Sequence, residues 1–321
     1  MTTRIVVIGG PTATGKTAVS VRLARRLARA GRPGEILNAD STQVYRGMDV
    51  GTAKATLEER AGVPHHLFDI RNPDEQLSAV EWAALADAAI AAIAARGGVA
   101  IVAGGTGFYM RALLEGLFDA PSANRAVRDR LEAEMAEPGG PERLRARLVT
   151  ADPDAAAVIH ANDRFRTIRA LEVFETSGQT ITALRAAHGR GHGARRYDAL
   201  ITALTLPRDL LYAKIDARQA EQVKSGLLEE YRSLLAAGYS PDLRTLNGLC
   251  YRHMRFVHEG RMSLDEAIEL DRRDNRRYAK RQFTWFKGVP ETRWYDARTD
   301  EARLHEDVFR FLELPLPPEG D

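Results

Sequence analysis

The sequence predicts an α/β protein built on a parallel sheet, and three observations predict it. Gly10-Pro11-Thr12-Ala13-Thr14-Gly15-Lys16-Thr17 fits the phosphate-binding spacing G-x-x-x-x-G-K-[ST]. Short apolar runs (Ile5–Ile8, Glu35–Ala39, Val99–Ala103 and Leu200–Leu206) alternate with helical patterns, as they do where helices cover both faces of a parallel sheet. From about Phe118 to residue 196 the strand signals stop and only helical segments and turn clusters remain.

The elements follow in order. Ile5–Ile8 reads as a buried strand leading into the glycine-rich loop, and Ala18–Ala30 as the helix after it, closed by Gly31. Ser78-x-x-Glu81 opens a helix that runs to Ala95, with Gly97 beyond its end. The Pro138-Gly139-Gly140-Pro141 cluster divides helical segments, and Gly189-Arg190-Gly191-His192-Gly193 reads as a flexible return linker. Ala199–Leu204 then resumes the sheet. Arg208 to Phe286 is mostly helical, with a second capping box at Ser263-x-x-Glu266, and the proline-rich end reads as loose. The predicted organisation is a P-loop NTPase-like core in two parts, residues 1–117 and 197–321. An all-helical insertion, 118–196, divides them, and the second part ends in a helical, basic C-terminal region. The phosphate site is expected at the carboxyl ends of the strands.

Bulk properties narrow the class. A chain of 321 residues can bury a full core. A net charge of +2 does not announce nucleic acid, so the basic residues have to be read locally. One cysteine, Cys250, excludes an intrachain disulfide, fits a reducing compartment and reads as an inert structural thiol. No signal peptide and no bilayer-length apolar stretch is apparent, so a cytoplasmic protein with no membrane partner is expected.

The loop explains its own residue types. Lys16 and the loop amides supply positive potential to a diphosphate, and the Thr17 hydroxyl is placed for Mg²⁺. Asp40 stands at the carboxyl end of the second strand, facing the ligand as either a metal ligand or a base on a second substrate. The strand Val99–Ala103 ends in Gly104-Gly105-Thr106-Gly107 with no acid, and those glycines suggest close backbone approach. Near the end, Arg272, Arg273, Arg276, Arg277, Lys280, Arg281 and Lys287 stand among Tyr278, Phe283, Trp285 and Phe286, with Asp274 interspersed. Positions 273, 276, 277, 280 and 281 share roughly one helical face, and a basic face beside aromatic residues suits a folded RNA. The His65-His66 pair lacks the partners of a metal site and reads as structural or substrate-positioning.

Several stretches together resemble the tRNA dimethylallyltransferases, also called tRNA isopentenyltransferases. Besides the phosphate loop they are Asp40–Lys54, Pro64-His65-His66-Leu67, Gly104–Tyr109, Asn162-Asp163, Arg169–Val173 and Tyr278–Trp285, in the family's order. The run Asp40–Lys54 is the most specific of them. The resemblance implies transfer of a dimethylallyl group from dimethylallyl diphosphate to N6 of adenosine 37 in tRNA, with Mg²⁺ as cofactor, by a protein expected to be a monomer. It implies that Gly10, Thr12, Ala13, Thr14, Gly15, Lys16, Thr17 and Arg218 hold the donor, with Thr17 on the metal. Asp40 is implied as general base. For tRNA it implies Asp40, Ser41, Thr42, Gln43, Thr106, Arg128, Phe165, Arg166, Thr167, Ile168, Arg169, Arg276, Lys280 and Arg281, with the target adenine extruded into a pocket. This sequence departs from the family pattern at Thr14 (often Ser), at Thr42 (often Arg), at 246–251 and at Asp274-Asn275.

Three rivals share the loop. A small-molecule or nucleotide kinase explains Lys16 and Asp40 but not the basic-aromatic C-terminus. A prenyltransferase of free adenine nucleotides differs only in acceptor. A non-enzymatic RNA-binding module would have no use for Lys16, Thr17 and Asp40 together.

Overall fold

The computed structural model describes residues 3–117, 124–191 and 195–317. Six parallel strands form one sheet in the order β3-β2-β4-β1-β5-β6. They are β1 (Arg4–Gly9), β2 (Gly34–Asn38), β3 (His65–His66), β4 (Val99–Ala103), β5 (Asp198–Thr205) and β6 (Arg293–Asp296). The four apolar runs are the four central strands, buried along nearly their whole length as a covered parallel sheet requires. The sequence pattern does not predict the strands β3 and β6. Both are short edge strands, and β6 buries only Tyr295 fully, so neither carries an apolar run.

Helix α1 (Lys16–Arg29) places Val19, Leu23, Ala24 and Leu27 on one face, at the spacing of a helix seated on a sheet. With Val6, Ile8 and Ile101 of the sheet and Leu304, Val308 and Phe309 of the last helix they form a hydrophobic core cluster. Each such aliphatic side chain, fully buried, contributes about 1.5–3 kcal/mol. Helix α2 (Leu57–Arg60) starts at a Thr56–Glu59 capping box, and α3 (Ala79–Ala95) at the expected Ser78–Glu81 box. Helix α4 (Gly107–Glu115) follows the second glycine cluster.

The described residues divide into two compact units, 1–114 with 196–321, and 115–195. The second unit contains α5 (Arg125–Ala136), α6 (Gly140–Ala151), α7 (Pro153–Val158), α8 (Arg164–Ser177) and α9 (Ile181–Gly191), packed around Leu131, Leu144, Leu148, Ile168 and Leu171. The return linker expected at 189–193 is corrected in its first half: Gly189 to Gly191 continue α9, while 192 and 193 lie outside the described residues. A helical glycine costs about 1 kcal/mol, too little to stop a helix already nucleated.

The chain leaves the first unit at Leu114 and re-enters at Arg196, whose amide donates to the Leu114 carbonyl at 3.1 Å. The Arg196 guanidinium donates to Leu113 O at 3.2 Å and pairs with Asp87 at 2.5 Å. Then come α10 (Arg208–Lys224), α11 (Leu227–Ala236), α12 (Leu249–His258), α13 (Leu264–Lys287) and α14 (Glu301–Leu312), with α13 packed on α10 and α12. No described helix is long and apolar enough to cross a membrane.

Candidate active site

The phosphate loop turns where β1 ends. Gly10 has φ +120°, and a Cβ there would lie 2.4 Å from the Leu204 carbonyl oxygen, so only glycine fits. Ala13 holds φ +63° without that excuse, a strained conformation of the kind that clusters at ligand sites. The Thr14 hydroxyl is spent inside the loop, donating to Pro11 O at 2.8 Å. Gly15 caps α1, which has neither a side-chain cap nor an acid in its first turn. Its leading amides therefore remain for an anion.

Lys16 folds back over this loop, its Nζ donating to Gly10 O at 3.1 Å and Pro11 O at 2.6 Å. Burial pulls its pKa down to about 8; Asp40 acts to raise it and Arg218 to lower it further. Thr17, one residue into α1, is exposed.

Asp40 follows β2, which β4 separates from β1. The second glycine cluster makes that separation small: a Cβ on Gly104 would lie 2.2 Å from Ala39 O. The Asp40 carboxylate is aimed by its neighbours. Oδ1 accepts from the Thr42 amide at 2.9 Å and the Thr42 hydroxyl at 2.7 Å, while the Asp40 amide donates to Asn38 Oδ1 at 3.1 Å. Thr42 thus spends its hydroxyl on Asp40, which accounts locally for a short side chain at this position. The Ser41 amide donates to Thr106 Oγ1 at 2.9 Å and the Thr106 amide to Ala39 O at 3.0 Å, which ties the two loops together.

Thr12, Asp40, Thr42, Arg218 and Tyr278 line one cleft, whose remaining wall includes Met48, Gly51, Cys250 and Tyr251. Arg218, from α10, reaches it with a buried Nε that has no hydrogen-bond partner among the described residues. Burial lowers its pKa, and Asp40 is the strongest opposing influence. A half-buried guanidinium with an unpartnered Nε and a lysine of lowered pKa beside a cradle of amides are short of negative charge, which a diphosphate supplies.

Helix α13 is the back of this site, a role with little local signal in the sequence. Its buried stripe, Ala267, Asp271, Asn275, Ala279, Gln282 and Phe286, has helical spacing but is half polar. Gln282 Oε1 accepts from the Thr12 amide at 2.8 Å, and its Nε2 donates to Gly105 O at 3.1 Å. A Cβ on Gly9 would strike the Phe286 ring at 2.1 Å, and one on Gly107 the Trp285 ring at 2.1 Å. The glycines of both loops admit α13 as much as any ligand.

The residues expected to meet RNA fall into three groups. Lys280 and Arg281 are exposed on α13, with Arg281 5.6 Å over the Tyr278 ring. Arg276 is already paired with Asp216 and stacks on Tyr212 at 5.4 Å. Gln43 gives its amide group to Thr52 O at 3.0 Å and Ala53 O at 3.1 Å. In the second unit, Arg128 pairs with the buried Glu172 at 2.6 Å and lies 5.9 Å over the half-exposed Phe165 ring, and Arg169 shares Glu172 at 3.0 Å. Arg166 is exposed and lies 3.4 Å from Asp163. The side chains of Thr167 and Ile168 are buried, 2% and 7% exposed, and Ile168 packs into the unit's own core. The His65-His66 pair is accounted for by the sheet, since His65 Nδ1 lies 2.8 Å from Val63 O and His66 Nε2 2.7 Å from Glu35. Cys250 is a buried free thiol whose pKa burial raises well above its ordinary value.

Comparison with known proteins follows this geometry. A family model described as IPP transferase matches residues 43–289. A tRNA dimethylallyltransferase of Anaeromyxobacter sp. (strain K) is 48% identical over 98% of this chain and 99% of its own. Another, tRNA dimethylallyltransferase 2 of Geotalea uraniireducens (strain Rf4), is 44% identical over 96% and 97%. The crystal structure of a tRNA isopentenylpyrophosphate transferase from Bacillus halodurans superposes with a TM-score of 0.70, at 37% identity and 97% coverage of both chains. A eukaryotic dimethylallyltransferase caught acting on tRNA superposes at 0.78, with 25% identity, covering 99% of this chain and 81% of its own.

Proposed function

Because the chain belongs to the IPP transferase family, we propose that it moves a dimethylallyl group from dimethylallyl diphosphate to N6 of adenosine 37 in tRNA. One observation carries the reading: Asp40 and Arg218 line the same cleft as Thr12 of the phosphate loop, with the Lys16 ammonium bonded to that loop's Gly10 and Pro11 carbonyls. A carboxylate and a guanidinium in one cleft, with an ammonium on the adjoining phosphate loop, suit a reaction that removes a proton at one end and releases an anion at the other.

In the transfer, N6 bonds to the allylic carbon as the bond from that carbon to the diphosphate oxygen breaks. The bonding pair leaves with the diphosphate, and the N6 proton passes to the Asp40 carboxylate. An exocyclic adenine amine is a weak nucleophile because its lone pair is delocalised, so a base accepting its hydrogen is the natural aid. Thr42 holds that carboxylate by Oδ1, which leaves Oδ2 for the substrate. Lys16, Arg218 and the loop amides stabilise the departing charge.

The donor set suits Mg²⁺. Among the described residues no group of three or more His, Cys, Asp or Glu could hold a metal. Thr17 offers one hard oxygen at the mouth of the loop, and Mg²⁺ binds readily through one protein oxygen, substrate phosphates and water. When bound, the ion neutralises diphosphate charge.

For tRNA we assign Ser41 and Thr106 to the surroundings of the extruded adenine, and Lys280 and Arg281 to backbone phosphates. Arg128, Phe165, Arg166 and Arg169 of the second unit are assigned to the anticodon stem-loop.

The test is mass spectrometry of unmodified tRNA incubated with the protein, Mg²⁺ and dimethylallyl diphosphate. A five-carbon gain on one anticodon-loop adenosine is expected. Productive ATP turnover with no binding of the allylic diphosphate would instead make the protein a kinase.

A further inference from the structure

The loop from Met48 to Ala53 is tied down at almost every polar atom. The Glu230 carboxylate, from α11, accepts the amides of Asp49, Val50 and Gly51 at 2.8, 2.7 and 2.9 Å, and the Tyr251 hydroxyl at 2.5 Å. The carbonyls are held as well. Gln222 of α10 donates to Val50 O at 2.6 Å and Gly51 O at 3.1 Å, and the Cys250 thiol donates to Gly51 O at 3.1 Å. A Cβ on Gly51 would lie 2.4 Å from the Tyr251 ring, so the ring sits flush on the loop backbone. Loops are ordinarily mobile. Here three helices converge to hold one still, and a carboxylate accepting three amides and a phenol is the strongest of the clamps.

What this loop walls off gives the clamp its meaning. Thr12, Asp40 and Arg218 form the polar side of the cleft, while Met48, Gly51, Cys250 and Tyr251 form much of its apolar lining. If the diphosphate lies at the cations, as the proposed function has it, the hydrocarbon tail extends toward the apolar lining. That lining is the clamped loop and the start of α12.

We propose that Glu230 is a positioning residue that fixes the Met48–Gly51 wall and thereby limits the donor to a five-carbon chain. The inference rests on the proposed function for the direction of the donor. Glu230 touches no substrate; it acts by denying the wall the movement that a longer isoprenoid would need.

The experiment measures affinities of the full-length protein for dimethylallyl diphosphate, geranyl diphosphate and inorganic pyrophosphate by calorimetry. It compares the unmodified protein with Glu230→Ala, Glu230→Gln and Tyr251→Phe. In Glu230→Ala the geranyl-to-dimethylallyl affinity ratio should rise by about tenfold or more, which is ~1.4 kcal/mol, while pyrophosphate affinity stays put. Glu230→Gln, which keeps an acceptor oxygen, should fall between. Tyr251→Phe removes one clamp bond without a cavity and should shift the ratio the same way by less, so the question survives if Glu230→Ala does not fold. An unchanged ratio in the folded variants, or a parallel loss of all three ligands, overturns the proposal. If the unmodified protein binds neither allylic diphosphate, the functional reading falls first and this one with it.

Discussion

The Thr12 amide and the Gln282 side chain, 270 residues apart, are joined by a 2.8 Å hydrogen bond. The helix that carries Lys280 and Arg281 on its exposed face therefore reaches through its buried face into the phosphate loop. Gln282 also holds Gly105, so one amide sets the spacing of the two glycine-rich loops. Removing it as Gln282→Ala should weaken pyrophosphate binding about tenfold, or ~1.4 kcal/mol. Gln282→Glu should weaken it more, because a carboxylate would face the Gly105 carbonyl near an anion. Calorimetry checks both, and unaltered affinity in Gln282→Ala would make the bridge a bystander.

Asp40 separates chemistry from binding. Asp40→Asn can keep the Thr42 contacts but cannot take a proton, so turnover should fall by roughly 10²–10⁴. Affinity for pyrophosphate should change little in Asp40→Asn and in Asp40→Ala. The opposite pattern, lost donor affinity with normal turnover at saturation, would make Asp40 a metal ligand.

Lys16 gives the donor site a pH limit. With its pKa lowered by burial to about 8, the ligand-free protein loses this charge as pH rises through that value. Pyrophosphate affinity should decline above pH 8 relative to Lys16→Arg, whose guanidinium stays charged. Parallel profiles for the two proteins between pH 7 and 9.5 would contradict the assignment.

Asp271 should make stability depend on pH in the direction opposite to a salt-bridged acid. Burial first, and then Asp274, raise its pKa from 3.8 to about 7, against Arg218 and Arg252. His253 Nε2 lies 4.0 Å away, and Gln219 hydrogen-bonds the other carboxylate oxygen. Between those two pH values the folded state keeps a proton that the unfolded chain has released. Its contribution is full below about pH 4 and is lost as pH climbs through 7. Denaturant melts of Asp271→Asn should show a flatter fall in stability from pH 5 to 8; an identical slope would discard the idea.

Lys280, exposed on α13, should differ from Arg276, which is paired. Lys280→Ala should lower the salt dependence of tRNA binding by about one unit of slope. Arg276→Ala, whose guanidinium is committed to Asp216 and Tyr212, should change that slope less and thermal stability more. Equal slopes for Lys280→Ala and the unmodified protein would make the face a solvated one.

What could be read from the sequence was what is local. The phosphate loop, the Ser78 and Ser263 caps and the central strands each declare themselves within a few residues. Asp40 was legible as a strand-end acid, though not that a glycine-tight second loop brings it to the phosphate site across an intervening strand. Gln282, Glu230 and Tyr251 act on backbone groups far away in the chain, and no periodicity marks a side chain that bonds a distant amide. The one available hint was the polar half of α13's buried stripe. Thr167 and Ile168, inside the Phe165–Arg169 run that the family resemblance singles out, share a buried helical face with Ala170, Leu171 and Val173.

The bond between Arg196 and Leu114 has an architectural consequence. The long excursion begins and ends at a clasp that the sheet domain closes by itself. Such a domain has no topological need of what hangs between the two ends. The register of its strands is set by pairs of residues that all lie within 1–114 and 196–321.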